Sequence, residues 1–187
     1  GKIRRLEGFG EKSEKDILAG ISMLKTAGKR RLLGDILPIA RSIISQLENL
    51  REVQHADIAG SLRRRLETIG DIDILVISSK PEKVMDYFTK LDDVSQVTAK
   101  GKTRAAVILK AGMNCDLRVI KPESYGAALL YFTGNKDHNI AIRNIAIKLG
   151  YKLSEYGLFK VNKIIAGKTE KEVYGKLHLP YFEPEMR

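Results

Sequence analysis

GSLRRRLETIGDIDILV, residues 60–76, is the stretch on which the reading of the chain turns. In an extended strand successive side chains point to opposite faces, so Asp71 and Asp73 share one face while Ile72, Ile74 and Val76 line the other. Two carboxylates brought that close raise each other's pKa and destabilise the strand unless a proton or a cation lies between them. Just upstream, Gly60-Ser61 precedes a short segment, LRRRLE, that reads as helical. A Gly-Ser turn opening a helix offers backbone N–H groups and a hydroxyl to phosphate oxygens, and Arg64 adds a forked cation. Phosphate at the turn and a divalent cation on the aspartates would lie side by side. A lone D-x-D or a lone Gly-Ser turn carries little information, whereas their joint spacing is far more selective.

Further along the chain, NCDLRVI (114–120) reads as a neighbouring strand, with Asp116 and Arg118 on one face and Cys115, Leu117 and Val119 on the other. An Asp–Arg pair on a solvated face is the competing reading. Beside the first motif, a third carboxylate completes a set suited to hard, oxygen-seeking Mg²⁺. Two such ions about 3.5–4 Å apart activate an attacking oxygen and stabilise a leaving one in phosphoryl transfer.

The remaining composition agrees with a partner of negative charge. Among 187 residues, 33 Lys and Arg against 23 Asp and Glu leave a formal charge of +10, and the basic residues cluster at 29–31 and 63–65. Solubility alone would not need such clusters. A hydrophobic content of 43% suits a globular core, and no apolar run reaches the ~18–20 residues of a membrane span. One cysteine, Cys115, excludes an internal disulfide and a cysteine-based zinc site, and a reducing cytoplasm is the expected compartment. The chain begins at Gly1 without an initiator Met, so a piece of a longer polypeptide is expected.

Periodicity orders the elements. Residues 1–50 read as helical: LEGFGEKSEKDILAGI holds a Gly8-Phe9-Gly10 turn, Ser13 as a candidate cap and apolar positions at Ile17, Ile21 and Leu24, and ILPIARSIISQLENL forms a further helix. Strands come next in VQHADIAG, DIDILVIS, TRAAVILK and NCDLRVI, with a helix from Pro81 through Leu91 between the second and third. SYGAALLYF and HNIAIRNIAIKLG return to helix, and a short strand-rich segment leads to a last helical turn in TEKEVYGKL. The fold class is α+β, a mixed or antiparallel sheet with helices between an N-terminal helical segment and a C-terminal α+β subdomain.

G-S-x9-D-x-D is the signature of the nucleotidyltransferase superfamily, and GSLRRRLETIGDIDILV together with DLRVI, YFTGNKDHN and LSEYGLF resembles the family X DNA polymerases of bacterial and archaeal type over essentially the whole chain. The resemblance implies a catalytic palm over 29–122, the end of a helix-hairpin-helix DNA-binding region over 1–28, and a nucleotide-selecting subdomain over 123–187. Asp71, Asp73 and Asp116 match the metal-binding aspartates, with Asp116 the candidate general base. Ser61 and Arg64 match residues on the β and γ phosphates, Gly60 belongs to their turn, and Arg30 falls where the family often has another triphosphate-binding arginine. Arg118 matches an arginine that holds the second aspartate when the enzyme is open, gating metal binding. Tyr131, Phe132 and the Thr133-Gly134 backbone would pack under a deoxyribose, and Asn139 would reach the minor-groove edge of the incoming base. Arg143 matches a template-contacting arginine with Tyr156 as its hydrogen-bonding neighbour, and Gly8 and Gly10 belong to the hairpin that holds a DNA phosphate. Lys136 and His138 depart from the animal enzymes.

The resemblance implies a gap-filling, template-directed polymerase in a prokaryotic cytoplasm at the nucleoid. It would take two Mg²⁺ ions, with Mn²⁺ as an alternative, use deoxynucleoside triphosphates on gapped or primer-template DNA, and act as a monomer without a membrane. Neither a lyase lysine nor the histidine cluster of a metal-dependent exonuclease is expected. Two readings compete: a nucleotidyltransferase acting on a small molecule, against which the charge and the YFTG segment argue, and a non-catalytic DNA-binding fragment of a larger polymerase.

Overall fold

The computed structural model of the chain, which describes residues 2–15, 17–18 and 30–187, places DIDILVIS in a strand inside a five-stranded mixed sheet. Residues 1–30 and 31–187 form two units. In the first, a 3₁₀ turn over Ile3–Arg5 leads through the Gly8–Gly10 turn into helix α1 at residues 11–15. Gly8 has φ +82° with open space around it, so the turn geometry itself asks for glycine. Ser13 lies inside α1 and does not cap it; the Glu14 amide already donates to the Gly10 carbonyl at 3.1 Å. Ile21 and Leu24 lie outside the described residues.

The second unit runs β1 (Arg31–Leu32), α2 (Leu33–Glu48), β2 (Val53–Ile58), α3 (Gly60–Arg63), β3 (Thr68–Ile69), β4 (Asp71–Ser78), α4 (Pro81–Phe88), β5 (Val94–Lys100), β6 (Arg104–Leu109), β7 (Asn114–Ile120), α5 (Tyr125–Thr133), α6 (Lys136–Lys148), β8 (Tyr151–Ser154), β9 (Gly157–Lys160), β10 (Lys163–Ala166) and α7 (Glu170–Lys176). The main sheet has the order β2-β4-β7-β6-β5, parallel only between β4 and β7. The β5–β6 hairpin, reached through α4, carries the chain out so that β7 returns beside β4 in the same direction.

One face of this sheet is covered by α2 and α4. Ile36, Ala40, Ile43 and Leu47 recur at helical spacing along α2 and are all buried, as are Val84, Met85 and Phe88 of α4. Against them lie Ile72, Ile74 and Val76 of β4 and Cys115, Leu117 and Val119 of β7. Burying a Leu or Ile side chain contributes about 1.5–3 kcal/mol, so this alternation fixes which face the aspartates must take. The opposite face is covered only in part: Leu75 packs under Ala59, Tyr125, Ala128 and Leu129, while earlier on the same strand face Asp71 is exposed and Asp73 partly buried.

Helices α5, α6 and α7 pack on a three-stranded antiparallel sheet, β10-β9-β8, around Leu130, Ile142, Leu158 and Tyr174. Gly126 lets α5 pass directly over the backbone before α7, since a Cβ there would meet the Thr169 carbonyl carbon at 2.1 Å. Several elements differ from the sequence reading; residues 1–50 are not helical throughout, because Arg31–Leu32 form β1, which pairs with the equally unforeseen β3. Of LRRRLE only Leu62 and Arg63 are helical: α3 ends at Arg63 and β3 begins at Thr68. VSQVTAK is a strand, at the sheet edge with nearly every residue exposed, so it shows no apolar alternation and is defined by its pairing with β6. No helix among the described residues is long and apolar enough to cross a membrane.

Candidate active site

Gly60 sets the first element of the site. It has φ +62°, and a Cβ on it would sit 2.2 Å from Asp73 Oδ2, so both the turn and the approach of the carboxylate require glycine. The Ala59 amide donates to the Asp73 carbonyl at 2.8 Å, locking the turn that carries Gly60 and Ser61 against β4. Asp71 and Asp73 share one strand face as the alternation requires, and Asp73 is paired directly with Asp116 across the parallel β4–β7 ladder. The three expected carboxylates therefore come to one face of two adjacent strands.

Burial, and next the charges of Asp71 and Asp116, push the Asp73 carboxyl up to about 7, against the opposing pull of Arg118 and Arg64. A group in that state takes up a proton or a cation near neutrality. Three carboxylates on one face are hard oxygen donors and chemically fit a divalent ion. They are not closed into a ready cage: among the described residues no three acidic, histidine or cysteine side chains stand in a cation-holding group. Asp116 is engaged elsewhere, its Oδ1 accepting from Arg104 Nη2 at 3.0 Å and Nε at 3.3 Å.

Arg104 is the residue that sequence reasoning missed. It pairs with Arg118 across the β6–β7 ladder, so it shares a face with Asp116 one step along the diagonal; only the register reveals this. Arg118, expected to hold the second aspartate, makes no ion pair with Asp73 among the described residues. Its guanidinium lies 4.6 Å over the Phe132 ring, and only its charge reaches Asp73. In this conformation the carboxylate that carries an arginine contact is Asp116, and the arginine is Arg104.

The turn and the YFTG segment are joined directly. Arg64 Nη1 donates to the Thr133 carbonyl and lies where a Cβ on Gly134 would be 3.2 Å away; Gly134 itself has φ +68°. Tyr131 and Phe132 meet edge to face at 5.0 Å, and Asn139 Nδ2 donates to the Tyr131 carbonyl at 2.7 Å. Arg143 lies 5.9 Å from the Tyr131 ring centre. It has no hydrogen bond to Tyr156 among the described residues, contrary to the expected pairing; the exposed Tyr156 instead accepts from Ser124 Oγ through its carbonyl at 2.8 Å. His138 turns inward, 2.7 Å from the Tyr174 hydroxyl, whereas Lys136 is exposed. Arg30, Gly8 and Gly10 are in the first unit, all exposed. Cys115 is buried in β7 as expected.

Comparison with known proteins adds the family. A family model described as DNA polymerase beta thumb matches residues 128–187. The DNA polymerase/3'-5' exonuclease PolX of Bacillus subtilis is 36% identical over 190 residues, a match covering 100% of this chain and 33% of that protein. The chain therefore spans about a third of the length of that relative. Repair DNA polymerase X of African swine fever virus is 33% identical over 138 residues, covering 68% of this chain and 78% of the viral protein. Polymerase beta of Leishmania infantum, solved as a ternary P/T complex, superposes with a TM-score of 0.80 over 98% of this chain and 95% of its own, and at 20% identity shows a shared fold. With residues 128–187 matching the thumb model and the motif carboxylates assembled on one sheet face, the chain belongs to the family X DNA polymerases.

Proposed function

We propose that the chain carries the nucleotidyl-transfer site of a repair-type DNA polymerase, adding a deoxynucleoside monophosphate to a primer 3'-hydroxyl and releasing pyrophosphate. The observation that carries the reading is the meeting of Asp73 and Asp116 on adjacent parallel strands beside a turn that only glycine can make. Asp71, Asp73 and Asp116 would hold two Mg²⁺ ions, or Mn²⁺, which supply charge stabilisation and a more acidic attacking oxygen when bound. Asp116 is the acceptor for the primer hydroxyl proton, a role for which it must leave Arg104.

Gly60, Ser61 and Arg64 would receive the β and γ phosphates. A guanidinium carries five N–H groups, so the bond from Arg64 to Thr133 does not exhaust its donors. Arg30 is a further candidate for the triphosphate. The Tyr131–Gly134 segment would lie under the sugar and leave no room for a 2'-hydroxyl, Asn139 would face the minor-groove edge of the base, and Arg143 the template. The carbonyl oxygen of Asn139 would serve the base while its amide holds Tyr131. Arg118, released from Phe132, would reach Asp73 in another conformation. Gly8 and Gly10 would present hairpin N–H groups to a DNA phosphate, a contact without sequence information. The division into 1–28, 29–122 and 123–187 belongs to the same proposal.

Primer extension on a one-nucleotide-gapped duplex with Mg²⁺ or Mn²⁺ tests it, comparing the chain with Asp116→Ala. Template-matched incorporation of deoxynucleotides that disappears in the variant is the expected result. Salt-sensitive DNA binding without incorporation would leave a DNA-binding fragment, because phosphate contacts alone then account for the charge.

A further inference from the structure

The carboxylate face of the main sheet has a fourth corner. Across the parallel ladder Asp71 is paired with Asn114 as Asp73 is with Asp116. Side chains two residues apart on a strand share a face, so all four stand on one side of β4 and β7. A strand spacing of about 4.8 Å and a rise of about 3.3 Å per residue make this a rectangle of roughly 5 by 7 Å at the backbone. Its inner edge, Asp73 and Asp116, is partly buried, whereas its outer edge, Asp71 and Asn114, is exposed. The inner edge is served by cations of the protein: Arg104 is hydrogen-bonded to Asp116, and the charges of Arg118 and Arg64 reach Asp73. No hydrogen bond or ion pair engages the side chain of Asp71 or of Asn114 among the described residues.

The surroundings of Asn114 limit what its amide can do. On β6 the residue paired with it is Ile108, apolar and partly buried, so of its two cross-strand neighbours only Asp71 is polar. Asparagine is depleted in strands, and a β-branched residue would suit this position of β7 better. A carboxylate here would add a fourth negative charge to a group in which burial, Asp71 and Asp116 already push Asp73 up to about 7. An amide carbonyl brings an oxygen without that charge, and such neutral oxygens are ordinary ligands of hard divalent ions.

We propose that Asn114 is the fourth oxygen donor of the cation site, its Oδ1 serving the divalent ion that Asp71 holds on the exposed edge. The inference rests on the polymerase reading above and adds to it a residue outside the carboxylate motif. With the protein's share held at three negative charges, a free ion binds weakly. The site fills when the phosphates of a nucleotide, placed at the Gly60-Ser61 turn, add their own oxygens and charge.

The test is Mn²⁺ binding to the whole chain without nucleotide, read by titration calorimetry, for the unaltered protein and for Asn114→Leu, Asn114→Gln and Asn114→Asp. Melts by circular dichroism in EDTA report folding. Asn114→Leu should weaken Mn²⁺ binding about tenfold, because water takes the place of the lost oxygen, and Asn114→Gln, which keeps the carbonyl on a longer stem, should recover part of the loss. Asn114→Asp should tighten binding at least tenfold by adding charge to the site. In NMR spectra of the unaltered protein, the side-chain amide resonances of Asn114, identified by their loss in the variants, should shift with Mg²⁺ and broaden with Mn²⁺. Asn114→Leu that folds and binds Mn²⁺ as tightly as the unaltered protein overturns the proposal; should it not fold, amide resonances that stay unmoved at saturating Mg²⁺ do so instead. An unaltered chain that binds no Mn²⁺ at all would remove the reading of the three carboxylates as a cation site, and this inference with it.

Discussion

Replacing Asp73 by asparagine should stabilise the metal-free protein at alkaline pH while removing its response to metal. The carboxyl is pushed from 3.8 to about 7, by burial first and by Asp71 and Asp116 next. A folded-state pKa above the unfolded one means that the native protein binds more protons between those two values, so stability is fullest at low pH and is lost as pH rises through 7. About three units at ~1.4 kcal/mol each set an upper bound of about 4 kcal/mol at pH 8, and partial solvent access at a half-buried group brings a realistic expectation to about 2 kcal/mol. For a chain of this length that corresponds to about 4–8 °C in melting temperature. Melts of both proteins in EDTA at pH 5 and pH 8 read the effect directly. Asp73→Asn should melt higher at pH 8 and by well under half as much at pH 5, where only about one of the three pH units between the unfolded and folded values has been crossed; added Mg²⁺ or Mn²⁺ should raise the original protein and leave the variant unmoved. A variant that melts lower by the same amount at both pH values would refute the account of Asp73 as a group repelled by its neighbours.

The same geometry sets other outcomes. Because a proton and a metal compete for Asp73, Mn²⁺ affinity measured by titration calorimetry should fall as pH drops below 7, approaching tenfold per unit. Arg104→Gln frees Asp116 from a half-exposed pair, so stability in thermal melts should change by less than about 1 kcal/mol while Mn²⁺ affinity rises several-fold. Gly60→Ala places a Cβ at φ +62° and against Asp73, and should cost about 1–3 kcal/mol and abolish metal-dependent stabilisation. Gly126→Ala should cost more than that, because the obstacle is Thr169 backbone, whereas Gly175→Ala on α7, with open space around it, should gain about 0.5–1 kcal/mol in the same melts.

Much of the site was readable in one dimension because its determinants are local. Period-two alternation in DIDILVIS and NCDLRVI fixes which side chains share a face, and the apolar face must be buried, so Asp71, Asp73, Asp116 and Arg118 had to point away from the core. The Gly60-Ser61 turn was legible for the same reason, as a glycine at the mouth of a helix, and Gly60 indeed takes a positive φ. Arg104 was not readable in this way: its place beside Asp116 depends on the register of β6 against β7. Strand β5 escaped because an exposed edge strand has no buried face to imprint on its sequence.

By itself, then, the sequence determined the α+β class, the strand faces that carry the carboxylates and the turn beside them, since each rests on spacing within a single element and on the cost of leaving apolar groups in water. Only the tertiary structure decided that β7 returns parallel to β4, bringing Asp116 level with Asp73, and that Arg104 rather than Arg118 holds a carboxylate. It alone joined Arg63, Thr133, Glu170 and Arg187 into one buried network. Such contacts are set by how elements stack, and partners many residues apart leave no periodicity along the chain from which their meeting can be read.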